Sequence, residues 1–65
     1  MATETQVAAG LLLTPTEAAR CLSVGRSKVY ELMRTGELRS VKLGGSRRVP
    51  RAALVELVAS LEAAA

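Results

Sequence analysis

The sequence contains no histidine and a single cysteine, Cys21. These shortages exclude zinc sites that use histidine, Cys–His nucleophile pairs and any disulfide within one chain. Because nothing in the sequence suggests a partner for the thiol, we expect Cys21 to pack as a small hydrophobic side chain. A chain of 65 residues forms one domain at most, with a core too small to enclose a deep pocket. We therefore expect neither an enzyme nor a bound cofactor.

Long apolar runs are absent as well, since the longest is too short to span a bilayer. Residues 1–10 are polar, rich in small side chains and without periodicity, and they have no basic region of the kind that begins a signal peptide. We expect a disordered tail at 1–10, no membrane partner, and a protein of the reducing cytoplasm. The sequence contains neither internal repeats nor low-complexity linkers.

A strong helix-start signal follows this segment. Thr14 can cap a helix, Pro15 stands at the first helical position where its missing N–H costs nothing, and Glu17 completes a capping box. The signal predicts a first helix over Pro15–Leu22. Because this helix is short, it depends on packing against the rest of the domain.

A second apolar period predicts a second helix over Arg26–Thr35. Its apolar residues are spaced i, i+3 and i+4, at Val29, Leu32 and Met33. Gly36 follows, and its freedom to adopt a positive φ suits a helix C-terminus. The two helices are joined by a turn of about three residues, so we expect an angled helix pair.

Residues 18–32 fit the spacing of a helix-turn-helix. Apolar side chains stand where the two helices and the turn must share a core, at Ala18, Leu22, Val24, Val29 and Leu32. Ala19 is small where the second helix would crowd the first. Any amphipathic helical hairpin shows part of this pattern, so its polar face must decide what the pair does.

After Leu38 the pattern changes to alternation, which predicts two short strands around Gly44–Gly45. The register of this β-hairpin is not fixed by the sequence. A phosphate-binding loop is the alternative for the two glycines, but the further glycine, the Lys-Ser/Thr pair and the helix of such loops are missing. A hairpin turn is therefore favoured.

Pro50 opens a third predicted helix with an apolar stripe. The stripe consists of Leu54, Leu57, Val58 and Leu61. We expect it to close the core, with a dimer face as the alternative. The predicted fold is α+β and mainly helical, with three helices and a two-stranded hairpin, over residues 11–61, followed by a tail at 62–65.

The charges are unevenly distributed along the chain. Eight of the nine basic residues lie between Arg26 and Arg51, against only Glu31 and Glu37. This segment carries a net charge of +6, which leaves −3 for the rest of the chain. A charge run is ordinarily a solvated surface, but here the cations alternate with apolar residues at structured spacings. This favours a surface that binds nucleic acid.

The outward face of the second helix supplies the first candidate residues for DNA contact. A helical wheel places there, or at its flanks, Arg26, Ser27, Lys28, Tyr30 and Arg34. In a helix-turn-helix the second helix lies in the major groove, with its N-terminal residues towards base edges. The alternatives are solubility for Lys28 and Arg34, and partial packing on the first helix for Tyr30.

The hairpin and the helix after it supply the second set of candidates. Lys42, Arg47 and Arg48 are expected close together near the hairpin tip, where like charges destabilise a strand pair by up to about 1 kcal/mol. Arg51, in the first turn of a helix, opposes the helix dipole by roughly 0.3–1 kcal/mol. A phosphate would relieve both penalties, so we expect these four residues to contact the DNA backbone.

The run LLTPTEAARCLSVGRSKVYELMRTGELRSVKLGGSRRVPRAALVELV resembles the excisionase-type, MerR-related winged helix-turn-helix domains of actinobacterial integrative elements and phages. The most specific pieces are LTPTEAA, GRSKVYELMRTGEL and GGSRRVPRAAL, and the resemblance covers about residues 11–61. It implies that the Arg26–Thr35 helix enters the major groove and that a wing at Gly44–Arg48 reaches the adjacent minor groove or the backbone. The chain departs from the family at Gly25, where a capping serine is common.

We therefore expect a non-enzymatic protein that binds double-stranded DNA with sequence preference, at the nucleoid. The resemblance implies that it binds tandem sites, bends attachment-site DNA and directs a partner integrase towards excision. A small transcriptional regulator is the alternative, because function depends on where the site lies. A module that binds an acidic protein is a further alternative, and the arginines at the hairpin tip argue against it.

One recognition helix reads only a few base pairs, so a single copy discriminates poorly among competing sites. We expect several copies to bind DNA cooperatively. Because the apolar stripe of the third helix is expected to be used in the core, the free protein should be monomeric.

Overall fold

A computed structural model describes residues 11–64 of the chain. Its elements are, in chain order, β1 (Leu12–Leu13), α1 (Pro15–Leu22), α2 (Arg26–Thr35), β2 (Val41–Leu43), β3 (Ser46–Pro50) and α3 (Arg51–Ala64). The predicted class, a mainly helical α+β winged helix-turn-helix, is confirmed, and α1 and α2 have the predicted bounds. The tail predicted at 1–10 lies outside the described residues. No helix within 11–64 is long and apolar enough to cross a membrane.

Helix α1 begins at the predicted capping box. The amide of Glu17 donates to Thr14 Oγ1 at 3.1 Å, and the amide of Thr14 donates to the Glu17 carboxylate at 2.9 Å. These bonds satisfy amides that a helix start leaves unpaired, and such a cap stabilises a helix by about 1 kcal/mol. At the other end Ser23 adopts a left-handed conformation, with φ at 59°, and its amide donates to the carbonyls of Ala19 and Arg20. The chain thereby turns sharply towards α2.

Helix α2 ends at Gly36, as predicted, with φ at 85°. Its amide donates to the Met33 carbonyl, a geometry that favours glycine at the helix end. Two residues later the amide of Leu38 donates to the Leu32 carbonyl at 3.0 Å, and the Leu38 side chain is 1% exposed. This closure fixes the direction in which the chain leaves α2 and enters the hairpin.

The structure supplies the register that the sequence left open. The hairpin pairs are Val41 with Arg48, Lys42 with Arg47, and Leu43 with Ser46. Gly44 has φ at 65°, which suits the first residue of a two-residue hairpin turn. Strand β1 pairs with the other edge of β3, where Leu13 lies opposite Val49, so the sheet has three strands in the order β1-β3-β2.

The core is one cluster shared by the three helices and the sheet. It consists of Leu13, Ala18, Ala19, Val29, Leu38, Val49, Ala53, Leu54 and Leu57, with Leu22, Leu32 and Met33 packed against it. Two residues of the α1–turn segment that were predicted to pack in the core lie outside it. Val24 is 39% exposed because it lies in the turn between the helices. Cys21 is exposed because α1 directs its Ala18, Ala19 and Leu22 face inward.

The bounds of α3 differ from the predicted ones at both ends. Strand β3 continues through Pro50, so the helix begins at Arg51. It continues to Ala64, so the tail predicted from residue 62 starts inside it, and residue 65 lies outside the described residues. The wing strand therefore passes directly into α3 without a loop.

The apolar stripe of α3 is buried only in its first half. Leu54 and Leu57 are each 6% exposed, whereas Val58 and Leu61 are 42% and 58% exposed. The prediction that the whole stripe closes the core is wrong for the last two residues, because within 11–64 the core cluster ends at Leu57. The second half of the stripe therefore remains exposed on the surface of a single copy.

Candidate nucleic-acid interface

Helix α2 leaves most of its surface uncovered. Of its ten residues only Val29 is buried, while Leu32 and Met33 are half-buried against the core. The predicted contact residues of this helix are all exposed: Arg26, Ser27, Lys28, Tyr30 and Arg34. A helix held by one edge, with a polar face open along its whole length of about 15 Å, can lie in a DNA major groove.

A cleft of ≈ 700 Å³ lies between this face and the wing. We call it the helix–wing cleft. Its lining consists of Ser27, Tyr30, Glu31, Met33, Arg34 and Arg47. Arg34 stands on the α2 wall and Arg47 on the β3 wall, so each wall carries a cation.

The first turn of α2 contains Arg26 and Lys28 and no acidic residue. The Arg26 guanidinium lies 5.7 Å from the centroid of the Tyr30 ring and donates to the Tyr30 hydroxyl at 3.4 Å. Cations at a helix start oppose the dipole by roughly 0.3–1 kcal/mol each, so they are unfavourable for folding. A phosphate at this end would be held by the cations and by the helix amides together.

The middle of the exposed face carries an acidic residue. Glu31 Oε1 lies 3.9 Å from Lys28 Nζ, and both side chains are more than half exposed. An exposed pair of this kind contributes about 0.5 kcal/mol or less, so the fold does not require it. In a major groove a glutamate can accept a hydrogen bond from the cytosine amino group, a role that fits a side chain in this cleft.

The wing places Lys42 directly opposite Arg47, on one face of the hairpin. Arg47 donates to Ser40 Oγ at 3.1 Å, which orients its guanidinium. Arg48 pairs with Val41 on the other face of the hairpin and donates to the Arg47 carbonyl. The short turn fixes the register, and side chains then alternate between the two faces.

Two other cations have positions that the sequence did not reveal. Arg51 lies in a second groove, between α1 and α3, and is not among the residues that line the helix–wing cleft. Its role as a DNA contact stays a prediction. Arg39 donates to both carboxylate oxygens of Glu56, at 3.3 and 3.0 Å, and so ties the segment before β2 to α3.

Of the predicted contacts, the structure brings Ser27, Tyr30, Arg34 and Arg47 into the lining of one cleft. Arg26, Lys28, Lys42 and Arg48 lie on the same elements, α2 and the wing, but outside that lining. Glu31 and Met33 line the cleft although no role was assigned to them. Glu31 could have been found from the sequence, because the helical wheel places it on the outward face and it is an acidic residue among cations.

The cleft presents cations, hydroxyl groups and one carboxylate. Within residues 11–64 no group of three or more His, Cys, Asp or Glu side chains could hold a metal ion, and no polar side chain is buried. These side chains can form hydrogen bonds and neutralise the charge of a ligand on an open surface. This suits recognition of a polyanion.

A protein family described as “Helix-turn-helix domain” matches residues 12–61. A protein of Saccharopolyspora erythraea named “Probable excisionase” is 47% identical over 51 residues, which are 78% of this chain and 52% of that protein. An “Excisionase” of Streptomyces ambofaciens is 51% identical over 47 residues, which are 72% of this chain and 76% of that protein. The chain thus spans about half the length of the first relative. No solved structure matches it significantly.

Proposed function

Because this chain belongs to the excisionase-type helix-turn-helix family, we propose that it is a non-enzymatic excisionase that bends attachment-site DNA and directs an integrase towards excision. The observation that carries the proposal is the helix–wing cleft. The exposed face of α2 forms one of its walls and a basic strand of the wing forms the other. We also propose that the chain's winged helix-turn-helix domain is related to the MerR proteins. The protein acts at the nucleoid.

In the complex α2 lies in the major groove, and the wing lies against the adjacent phosphate backbone. The major groove of B-DNA is about 12 Å wide and admits an α-helix. Ser27, Glu31 and Arg34 then face base edges, and Lys42 and Arg47 contact phosphates. Base contacts supply the sequence preference, and phosphate contacts supply most of the affinity.

Bending follows from the position of the wing beside the recognition helix. Bending 20–30 base pairs by 40–90° costs of order 1–6 kcal/mol, which further backbone contacts can offset. Since one helix reads only a few base pairs, several copies act together, and each added copy increases the bend.

The proposal is tested by excision in vitro with a partner integrase and a plasmid that carries the attachment sites of that integrase. We expect excision to require the protein, and circular-permutation gels to show a larger bend on two-site than on one-site DNA. The double variant Lys42→Ala/Arg47→Ala should lose both effects while retaining its circular dichroism. A protein that binds near a promoter and leaves the direction of integration unchanged would instead be a transcriptional regulator.

A further inference from the structure

The second groove, between α1 and α3, has a volume of ≈ 340 Å³ and lies apart from the helix–wing cleft lining. Helix α3 contributes Arg51, Leu54, Val55, Val58, Ala59 and Glu62 to it, and the end of α1 supplies the opposite wall. Val55 and Val58 are 64% and 42% exposed. This small domain therefore leaves two valines open to water in one groove.

Four of the groove residues form a straight line along α3, which we call the α3 seam. Arg51, Val55, Val58 and Glu62 follow one another at spacings of four, three and four residues. This spacing keeps them within a sector about 60° wide and is that of helices that pack side by side. The seam begins with a cation, has two valines in the middle and ends with an anion.

The seam is complementary to itself when it is turned end for end. Reversal puts Glu62 where Arg51 stood, and Val58 where Val55 stood, because each pair is centred on the same point between residues 56 and 57. A surface with this property can contact its own copy about a two-fold axis, where every contact is made twice.

We propose that the α3 seam is a self-association surface on which α3 of a second copy lies antiparallel. Val55 of each copy contacts Val58 of the other, and Arg51 of each pairs with Glu62 of the other. A parallel arrangement would instead set like charges beside each other at both ends. Val55, Val58 and Glu62 are neither predicted DNA contacts nor part of the helix–wing cleft lining, whereas Arg51 is also a predicted DNA contact. The association is therefore measured on the free protein, without DNA.

The size of the surface sets the strength of the association. Helix α3 has 14 residues and is about 21 Å long, so the contact is one helix pair. Stable interfaces bury at least about 1,000 Å², and one short pair centred on two valines falls near or below that limit. The free protein should therefore associate weakly, and more strongly once DNA holds two copies side by side.

Sedimentation equilibrium on the free protein tests the proposal directly. Between about 10 µM and about 1 mM the average mass should rise from 6.8 kDa towards twice that value. Val58→Glu should weaken the association at least about tenfold, because it sets a carboxylate against a valine. The matched control, Ser60→Glu on an exposed position of the same helix outside the groove, should leave it unchanged.

Charge reversal tests the antiparallel orientation. Arg51→Glu and Glu62→Arg should each weaken self-association, because like charges then meet at both ends of the pair. An equimolar mixture of the two variants should recover the association of the native chain, since both end pairs become opposite in charge. Circular dichroism of each variant checks that the fold is kept.

Three results would overturn the proposal. The native protein could keep the monomer mass at a concentration of about 1 mM, which is well above the dissociation constants of specific dimers. The mixed charge variants could associate no better than each variant alone. Finally, the native protein could be monomeric while Val58→Glu abolished only its effect on the integrase. The groove would then bind the integrase and not a second copy of this chain.

Discussion

Raising the salt concentration from 50 to 200 mM is expected to weaken binding to duplex DNA by a factor of about 60 to about 1,000. Eight basic residues lie between Arg26 and Arg51, and the exposed face of α2 and the wing carry most of them. We expect about three to six phosphate contacts per copy, each of which releases a counterion from the DNA. The plot of log affinity against log salt should then have a slope of roughly −3 to −5.

Fluorescence anisotropy with a random duplex measures this slope. Lys42→Ala/Arg47→Ala is the informative comparison, because it removes the cations that lie opposite each other on the wing. Its slope should be flatter than that of the native chain by about 2, one unit per lost phosphate contact. A native slope close to zero would contradict an interface dominated by the phosphate backbone.

Arg34→Ala should reduce binding to the specific site by about 1–3 kcal/mol, which is roughly 5- to 150-fold, and affect random DNA much less. Arg34 is exposed on α2 and lines the helix–wing cleft. A guanidinium can donate two hydrogen bonds to guanine, and alanine removes both. Its exposure means that the substitution should leave the fold intact. Arg26→Ala should act in the same direction.

Lys42→Ala is the contrasting variant for this experiment. It should lower affinity for specific and random DNA by similar factors, because a wing lysine at a phosphate carries no sequence information. Competition titrations with the two duplexes separate the two kinds of effect. If Arg34→Ala lowers both affinities equally, Arg34 contacts phosphate and the base-reading face of α2 lies elsewhere.

The bounds of α1 and α2 could be predicted because their signals are local. The capping box at Thr14 and Glu17 and the positive φ of Gly36 act within one helical turn of the positions they define. Neither requires knowledge of what the helix packs against. The same holds for the turn at Gly44, which could be located although its register could not.

The features that sequence reasoning missed depend on distant contacts. The ion pair of Arg39 and Glu56 joins residues 17 positions apart, and no periodicity reports it. The pairing of β1 with β3 is of the same kind. For Val58 and Leu61, the pattern identified the apolar side of the helix but not how far the core reaches along it.

The candidate site was predictable at the level of elements and only partly at the level of residues. A helical wheel suffices to find that Ser27 and Arg34 point outward, because the apolar residues of α2 define the inner side. Which wing cation joins them depends on the hairpin register. That register selects Arg47 for the cleft and turns Arg48 to the other face.

Mapping of amide chemical shifts in the ¹⁵N-labelled protein during titration with duplex DNA tests the central claim most directly. We predict that the signals that move most belong to the exposed face of α2, from Arg26 to Arg34, and to the wing from Lys42 to Arg48. Signals from the second half of α3, around Val58, should move far less when the duplex is long enough for one copy only and the free chain is monomeric. Shifts confined to α3, or no shifts at all with either specific or random duplex, would contradict the assignment of the helix–wing cleft as the DNA-binding surface.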